Sequence, residues 1–384
     1  MDFHIDKLLN FPHATVEQCV QESGDVFLTL RLLNDTADCP NCGQSSEELH
    51  QSRPVFVRDL SIFGQATHLK IPRRQFYCRS CQRYFTELLP YVDKGRQYTC
   101  RYEAYIYQQV QLTTIEQVSR VEGLTYDRVE GIFNHQHELK KKENWAGTKR
   151  IAIDEISHRK GQRNFATVVG DIEAGRLLDV IDSHQQLDII EALEQQPLAV
   201  REQIVEVSVD MWGGFPKVVE KVFPNAILVI DRFHVMQAAN KELNKIRRQV
   251  GVVDRGSKFL LLRNGVDLTE AERQALEQIL QRSKRLRKAY ESKEELRAIY
   301  ESPLTVEAGR LHFEEWLNRA QKIFSEVTTT IRNHLEGICN YFRTRTTSGP
   351  MEGINNRIKL IKRQAYGFTN FVNFRKRLLA CFSD

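Results

Sequence analysis

Two pairs of cysteines with the spacing CxxC constrain the N-terminal fold more than any other feature of the sequence. Cys39 and Cys42 stand in "DCPNCGQ", and Cys78 and Cys81 stand in "YCRSCQRYF". Two residues between thiolates allow one tight turn to present both sulfurs to a tetrahedral ion. The two pairs therefore predict one structural zinc ion with four thiolate ligands, so the intervening chain must return to its starting point.

The chain between the two pairs is longer than the usual connection in such a site. Apolar residues alternate with polar ones on both sides of Gly64, which predicts two strands joined by a turn. The alternating residues are Val55, Val57, Leu69 and Ile71. We expect a zinc-ribbon-like module with a long inserted hairpin, and His50 or His68 replacing one cysteine is a less favoured alternative.

Composition limits the cellular setting of the chain. It has 384 residues, 41% of them hydrophobic, with 55 basic and 50 acidic side chains and eight cysteines. These values are ordinary for a soluble protein of two or three domains, and cysteines in CxxC pairs suit metal binding in a reducing compartment. No apolar run is long enough to span a membrane, and the N-terminus lacks the order of a signal peptide. We expect a cytoplasmic protein with no membrane partner.

The stretch "TTIEQVSRVEGLTYDRVEGIFNHQHELKKK" predicts two short helices around Gly123. Thr125 is a suitable cap for the second helix. This pattern is typical of a helix-turn-helix, in which the second helix reads a DNA groove. A plain helical hairpin has the same pattern, so the sequence leaves both interpretations open.

After Arg150 the pattern becomes that of a mixed α/β domain. Strands are expected in "RIAIDEI", "NFATVVGDI", "RLLDVID", "QIVEVSVD" and "NAILVIDRF", with helices among the later ones. Three strands followed by alternating helix and strand is the order of a ribonuclease-H-like fold. In this interpretation Asp154, Asp210 and Asp231 each end a strand.

Asp154 and Asp210 are the residues that a metal-dependent phosphoryl-transfer site would need. Carboxylate oxygens are hard ligands for Mg²⁺, and two such ions could activate an attacking hydroxyl and stabilise a leaving oxygen. A cluster of this kind requires a third carboxylate. The alternative is that each aspartate is only a turn former at a strand end.

A single acid, Glu352, lies in the basic and amide-rich stretch "RTTSGPMEGINNRIKLIKRQAYGF". Gly349 and Pro350 are a plausible helix start, and Ile354, Ile358 and Ile361 form one apolar stripe. These residues alone favour a core helix with a solvated face, in which the acid suits the helix dipole.

Three long blocks resemble the signature blocks of DDE transposases of the ISL-three insertion-sequence family, and the likeness covers essentially the whole chain. The blocks are "AIDEISHRKGQRNFATVVGDIEAGRLLDVI", "VSVDMWGGFPKVVEKVFPNAILVIDRFHVMQAANKELNKIRR" and "TTSGPMEGINNRIKLIKRQAYGFTNFVNFRKRLL". The family's three catalytic acids match Asp154, Asp210 and Glu352. The threonine-asparagine-glycine that usually precedes the glutamate is Thr347-Ser348-Gly349 here, which keeps the glycine and the acid.

The resemblance implies roles for further residues. Glu352 would be the third metal ligand, on a helix whose basic and amide face meets DNA. The expected DNA contacts are Asn355, Asn356, Lys359, Lys362, Arg363 and Tyr366. Asp231 and His234 are expected to support the metal site or contact a DNA end. The long stretch between Asp210 and Glu352 implies a helical insertion.

The function implied is that of a DNA transposase, which binds the terminal inverted repeats of its element and catalyses metal-dependent strand cleavage and strand transfer. Two Mg²⁺ or Mn²⁺ ions per active site and one structural Zn²⁺ are the expected cofactors. The expected partners are element ends, target DNA and further copies of the chain, in a homodimer or higher oligomer at the bacterial nucleoid. The alternatives are a catalytically inactive zinc-dependent DNA-binding regulator and a ribonuclease-H-like nuclease that does not join strands.

The expected fold class is therefore α/β, with a ribonuclease-H-like catalytic domain preceded by a zinc-ribbon-like module and a helix-turn-helix. The expected boundaries are 1–95 for the zinc module, 96–148 for the helix-turn-helix region, 149–240 and 340–384 for the catalytic domain, and 241–339 for the helical insertion.

Overall fold

The computed structural model of the chain describes residues 5–140, 145–157, 165–347, 349–365, 368 and 370–382. The chain divides into two units, Met1–Lys141 and Lys142–Asp384. Within the described residues, no helix is long and apolar enough to cross a membrane.

The first unit begins with one short helix, α1 (Ile5–Leu9), followed by seven strands among its described residues. These are β1 (Ala14–Glu22), β2 (Asp25–Leu32), β3 (Ala37–Asp38), β4 (Ser45–Ser46), β5 (Leu49–Ile62), β6 (Gln65–Cys78) and β7 (Arg83–Thr86). The predicted long hairpin is confirmed, since β5 pairs with β6 in antiparallel register around Gly64. The main sheet has the order β1-β2-β6-β5, with β7 beside β6, and β3 pairs with β4.

Three helices complete the first unit: α2 (Cys100–Leu112), α3 (Ile115–Glu122) and α4 (Tyr126–Lys140). The two predicted helices are α3 and α4. Gly123 separates them with a φ of 63°, a left-handed conformation that glycine adopts at little cost. Sequence patterning did not single out α2, which packs on α4 through the stacked rings of Tyr107 and Phe133, 5.2 Å apart.

The second unit is built on a five-stranded sheet with the spatial order β10-β9-β8-β11-β12. The strands are β8 (Arg150–Ser157), β9 (Phe165–Asp171), β10 (Arg176–Ile181), β11 (Glu206–Val209) and β12 (Ile227–Ile230). The first three pair in antiparallel fashion, whereas β11 pairs in parallel with both β8 and β12. This is the sheet of a ribonuclease-H-like fold, as the sequence predicted.

Helices cover both faces of this sheet. Between the strands and after them run α5 (Gln186–Glu194), α6 (Leu198–Glu202), α7 (Phe215–Val222), α8 (Arg232–Gln249), α9 (Ser257–Leu262), α10 (Glu270–Gln281), α11 (Lys284–Glu301), α12 (Val306–Ala320), α13 (Ser325–Asn333), α14 (Leu335–Cys339), α15 (Tyr341–Thr344), α16 (Gly349–Gln364) and α17 (Phe371–Cys381). The helices from α8 to α15 lie between β12 and α16, the part of the chain in which the sequence predicts a helical insertion at 241–339.

Alternation along β8 assigns each face of the sheet to a different core. Ile151 and Ile153 point into the larger core, which includes α5, α7, α8 and the insertion. Ala152 and Ile156 point into the smaller core with α16 and α17. The predicted apolar stripe of α16 is confirmed, because Ile354, Ile358 and Ile361 are all buried in that smaller core. Asp154 has the same parity as Ala152 and therefore faces α16.

Candidate functional site

The four cysteines of the two CxxC pairs converge in the first unit. The Sγ atoms of Cys39 and Cys81 lie 3.9 Å apart, those of Cys42 and Cys78 lie 3.6 Å apart, and all four lie within 4.8 Å of one another. Four sulfurs at 2.3 Å from a tetrahedral zinc would be separated by roughly 3.8 Å. The cluster therefore has the dimensions of a four-thiolate zinc site.

Local structure favours the ionised form of one thiol. Cys39 begins a turn in which Gly43 donates a backbone hydrogen bond to the Cys39 carbonyl at 2.8 Å. Hydrogen bonds from the backbone amides of Asn41 and Cys42 lower the pKa of the Cys39 thiol to about 7. Thiolates are the form that binds metal. Phe76 and Phe85 pack beside the cluster and form a small apolar core around it.

In the second unit, the three predicted catalytic acids line one cleft. This cavity, of about 240 Å³, is lined by Asp154, Asp210 and Glu352 together with Asp231, His234 and Lys359. Three separate elements contribute the acids: β8, the segment after β11, and the first turn of α16.

Asp154 lies inside a strand, so the prediction that its strand ends there is wrong. The strand β8 continues to Ser157 because β9 pairs with it over that whole length. The parallel pairing with β11 does stop at Ile153, which leaves Asp154 as the first residue beyond that ladder. Its Oδ2 accepts a hydrogen bond of 2.6 Å from Asn355 Nδ2, and its Oδ1 accepts from the backbone of Glu155 at 2.8 Å.

Asp210 and Asp231 follow the parallel strands β11 and β12, as predicted. The Asp210 carboxylate accepts a 2.7 Å hydrogen bond from the backbone of Trp212. Burial, with a smaller contribution from the neighbouring charge of Asp154, raises the pKa of Asp210. Asp231 caps α8 by accepting from Phe233 N at 2.9 Å, and His234 Nε2 lies 3.7 Å from its Oδ2.

The helix α16 presents most of the predicted DNA contacts. Glu352, Asn356, Lys359 and Arg363 are exposed on it. Two neighbours have intramolecular partners. Lys362 Nζ donates to the Ser157 carbonyl at 2.6 Å, and Asn355 is buried against Asp154. Tyr366 lies outside the described residues.

The donor chemistry of the cleft fits divalent cations. Two aspartates and a glutamate offer hard oxygen ligands, and a cation beside Asp210 would stabilise the ionised form that burial disfavours. Among the described residues, the oxygens of the three carboxylates do not all lie within 4.8 Å of one another.

Sequence patterning missed two clusters of ionisable groups. Glu155 follows Asp154 on the opposite face of β8, and its burial and the nearby Asp210 raise its pKa. In the first unit, the carboxylates of Asp93 and Glu103 lie 3.1 Å and 3.6 Å from His135 Nε2. No spacing motif in the sequence indicates either cluster. Glu155 and Asp210 are on different elements, and Asp93, Glu103 and His135 come from separate parts of the first unit.

Comparison with known families divides the chain into three matched segments. Residues 35–81 match the zinc-finger of transposase IS204/IS1001/IS1096/IS1165, and residues 87–137 match the helix-turn-helix domain of transposase family ISL3. Residues 151–378, which include all three acids of the cleft, match the ISL3 family model described as a transposase. The helix-turn-helix match favours DNA binding over a plain helical hairpin at α3 and α4.

Curated relatives agree with these matches. The chain is 27% identical to the transposase for insertion sequence element IS1001 of Bordetella parapertussis over 362 residues, which cover 90% of this chain and 88% of the relative. It is 28% identical to the transposase for insertion sequence element IS1557 of Mycobacterium tuberculosis over 267 residues, 60% of this chain and 59% of the relative. With its zinc finger, helix-turn-helix and catalytic segment in this order, the chain belongs to the ISL3 family of DDE transposases.

Proposed function

We propose that this transposase binds the terminal inverted repeats of its element and catalyses Mg²⁺-dependent cleavage and transfer of the DNA strands. Mn²⁺ is expected to substitute for Mg²⁺. The observation that carries the proposal is the convergence of Asp154, Asp210 and Glu352 on one cleft beside Lys359.

We assign the three carboxylates to holding the divalent ions. When bound, a pair of such ions supplies an activated hydroxyl nucleophile and stabilises the leaving oxygen of the phosphodiester. The chain itself contributes orientation. Asn355 and the backbone of Glu155 fix both oxygens of Asp154, and the Trp212 amide fixes one oxygen of Asp210. Asp231 and His234 are proposed to support this arrangement from the start of α8.

The exposed face of α16 is proposed to bind the DNA backbone. Asn356, Lys359 and Arg363 are exposed one to three turns from Glu352, so a phosphate held by the metal ions would be within reach of cationic and amide donors. Lys362 is a second cation on this helix, though its ammonium already donates to Ser157. Tyr366 is proposed, from the sequence alone, to stack on an unpaired terminal base.

The N-terminal modules are proposed to recognise the element end. One structural Zn²⁺ would be held by the four cysteines, within a module at 1–95, and the helix-turn-helix region would span 96–148. The catalytic domain would comprise 149–240 and 340–384, interrupted by the insertion at 241–339. Because transposition joins two ends at once, we propose a dimer or higher assembly on DNA, acting at the nucleoid in the bacterial cytoplasm.

The test uses the full-length protein, labelled double-stranded element ends, an unlabelled target plasmid and Mg²⁺. Cleavage at the 3′ end of the element and covalent joining to the plasmid are both expected. Cleavage without joined product would support a nuclease, and end binding with neither product would support an inactive regulator. Mass measurement of a paired-end complex checks the assembly, and a complex with one protomer would contradict the proposed dimer.

A further inference from the structure

Asn355 makes one contact with the catalytic cleft and leaves another of its polar atoms unused. Its side-chain Nδ2 donates to Asp154 Oδ2 at 2.6 Å, and the residue is only 8% exposed. Its Oδ1 is shielded from solvent and has no hydrogen-bond partner among the described residues. Asn355 also lines the cleft that contains the three acids.

The orientation of this amide follows from the charge of Asp154. An amide turned the other way would place its oxygen against a carboxylate oxygen at hydrogen-bond distance, and two acceptors repel each other. The Nδ2 donor therefore faces Asp154, and the Oδ1 acceptor has no hydrogen-bond partner among the described residues. Leaving a buried carbonyl without a hydrogen-bond donor is unfavourable, so a donor is expected at this position in the working state of the site.

The candidates for that donor are few. A DNA phosphate diester has only acceptor oxygens and cannot satisfy Oδ1. A hydrated divalent cation can, because Mg²⁺ keeps several waters in protein sites and each of them donates hydrogen bonds. The ammonium of Lys359, which lines the same cleft, is the competing donor.

We propose that Asn355 is a positioning residue of the metal site, whose Nδ2 holds Asp154 while its Oδ1 accepts from the hydration shell of the cation held by Asp154. This inference rests on the proposed function. The amide is well placed for the task because α16 is fixed to β8 at two points. Ile354 and Ile358 on either side of Asn355 are buried, and Lys362 binds the Ser157 carbonyl further along the helix.

The test measures Mn²⁺ binding to the zinc-loaded, full-length protein by electron paramagnetic resonance of the free ion, without DNA and without turnover. We expect Asn355→Ala to weaken Mn²⁺ binding about ten- to a hundredfold, the usual effect of removing a group that supports a metal ligand. Gln364→Ala, an exposed amide on the same helix outside the cleft, is the matched control and should bind Mn²⁺ like the parent. Unchanged binding in Asn355→Ala would overturn the inference.

A second variant serves if Asn355→Ala does not fold. Asn355→Leu keeps the approximate shape of the side chain and removes both of its polar atoms without adding a charge, so its Mn²⁺ affinity should fall as in Asn355→Ala. Parental Mn²⁺ affinity in a folded Asn355→Leu protein would overturn the inference, and a loss of Mn²⁺ affinity in Lys359→Ala without DNA would assign Oδ1 to the lysine instead.

Asp154→Asn distinguishes this inference from the function on which it rests. If the parent binds Mn²⁺ and Asp154→Asn does not, Asp154 is part of a metal site, and this conclusion does not depend on the results for the Asn355 variants. If the parent itself binds no Mn²⁺, the proposed catalytic function fails together with the inference.

Discussion

The side chain of Ile354 in α16 occupies the space that a Cβ atom on Gly170 would fill. Such an atom would lie 2.8 Å from Ile354 Cδ1 and 3.2 Å from Met351 Sδ. Because Gly170 has no side chain, α16 can lie close against β9 at this position. Because Glu352 and Asn355 are on the same helix, this approach also sets their distance from Asp154.

Gly170→Ala is expected to destabilise the second unit by about 1–3 kcal/mol, since overpacking forces a buried side chain or the backbone to move. The free energy of opening of α16, measured by hydrogen exchange, checks this value. Gly353→Ala on the same helix is the control, because a Cβ there meets nothing within 4 Å and should stabilise the helix by about 0.4–1 kcal/mol. Equal effects at the two glycines would contradict the close packing.

Glu352→Gln keeps the size of the side chain and removes its negative charge. If Glu352 holds a divalent ion, strand cleavage should fall on the order of a thousandfold, since metal ions contribute several kcal/mol to transition-state stabilisation. Asp154→Asn and Asp210→Asn should have similar effects, while binding of the element end survives in all three. Asp231→Asn is the matched control and should keep more activity. If a folded Glu352→Gln protein cleaves at the parental rate, Glu352 is not a metal ligand and its carboxylate only interacts with the helix dipole.

Replacement of two thiolates should remove the zinc. We expect the parent to contain one equivalent of zinc per chain and a Cys39→Ser, Cys78→Ser variant to contain almost none, because each pair loses a ligand. Metal analysis of the purified proteins decides this. Cys19→Ser is the control, as Cys19 is exposed and outside the cluster. A full equivalent of zinc in the double variant would exclude these ligands.

Glu103 is expected to hold α2 and α4 together. It is 1% exposed, and its carboxylate lies 2.6 Å from Arg96 Nε and 3.3 Å from Gln136 Nε2. Glu103→Gln should lower the free energy of opening of these helices by about 1–3 kcal/mol, because the buried carboxylate loses its charge-assisted hydrogen bond with the partly exposed Arg96.

Hydrogen exchange of the amides of α2 and α4 measures the effect of Glu103→Gln. In the control, Glu116→Gln breaks an exposed pair with Arg120 and should cost less than about 0.5 kcal/mol. If Glu103→Gln lowers the free energy of opening by no more than Glu116→Gln does, the ion pairs around Glu103 contribute little to the stability of α2 and α4.

The basic face of α16 should contribute to DNA affinity through phosphates. Lys359→Ala and Arg363→Ala should each weaken end binding at all sequences and reduce the slope of log affinity against log salt by about one. Arg357→Ala is the contrast, because Arg357 binds the Cys381 carbonyl and stacks on Phe382. It should cost stability and leave the salt slope unchanged. Filter binding over a salt series distinguishes the variants.

Local patterns were sufficient for features whose cause is local. The CxxC spacing predicts two thiolates on one turn whatever surrounds it, and the alternation around Gly64 predicts the hairpin between the cysteine pairs. The apolar stripe of Ile354, Ile358 and Ile361 likewise follows from helical periodicity, so the buried face of α16 could be read from the sequence. The roles of Asp154, Asp210 and Glu352 came from the resemblance of three long blocks to a known family.

Other features depended on partners that are distant in the sequence. The strand β8 extends beyond Asp154 because β9 pairs with it. The prediction that the strand ends at this aspartate used only local sequence, in which this pairing is not visible. In the same way, Asn355 reads as one of several polar residues on a basic helix. Its burial and its hydrogen bond to Asp154 follow only from the docking of α16 on the sheet.

The sequence by itself determined the two cysteine pairs and the order of the modules, since these depend on residue type and spacing, and its resemblance to a known family identified the three candidate acids. The tertiary structure alone decided which polar groups on α16 are exposed and which, like Asn355, are buried beside the cleft, because that depends on how the helix docks on the sheet. It also decided that Asp93, Glu103 and His135 form one cluster, since the packing of α4 on α2 brings them together.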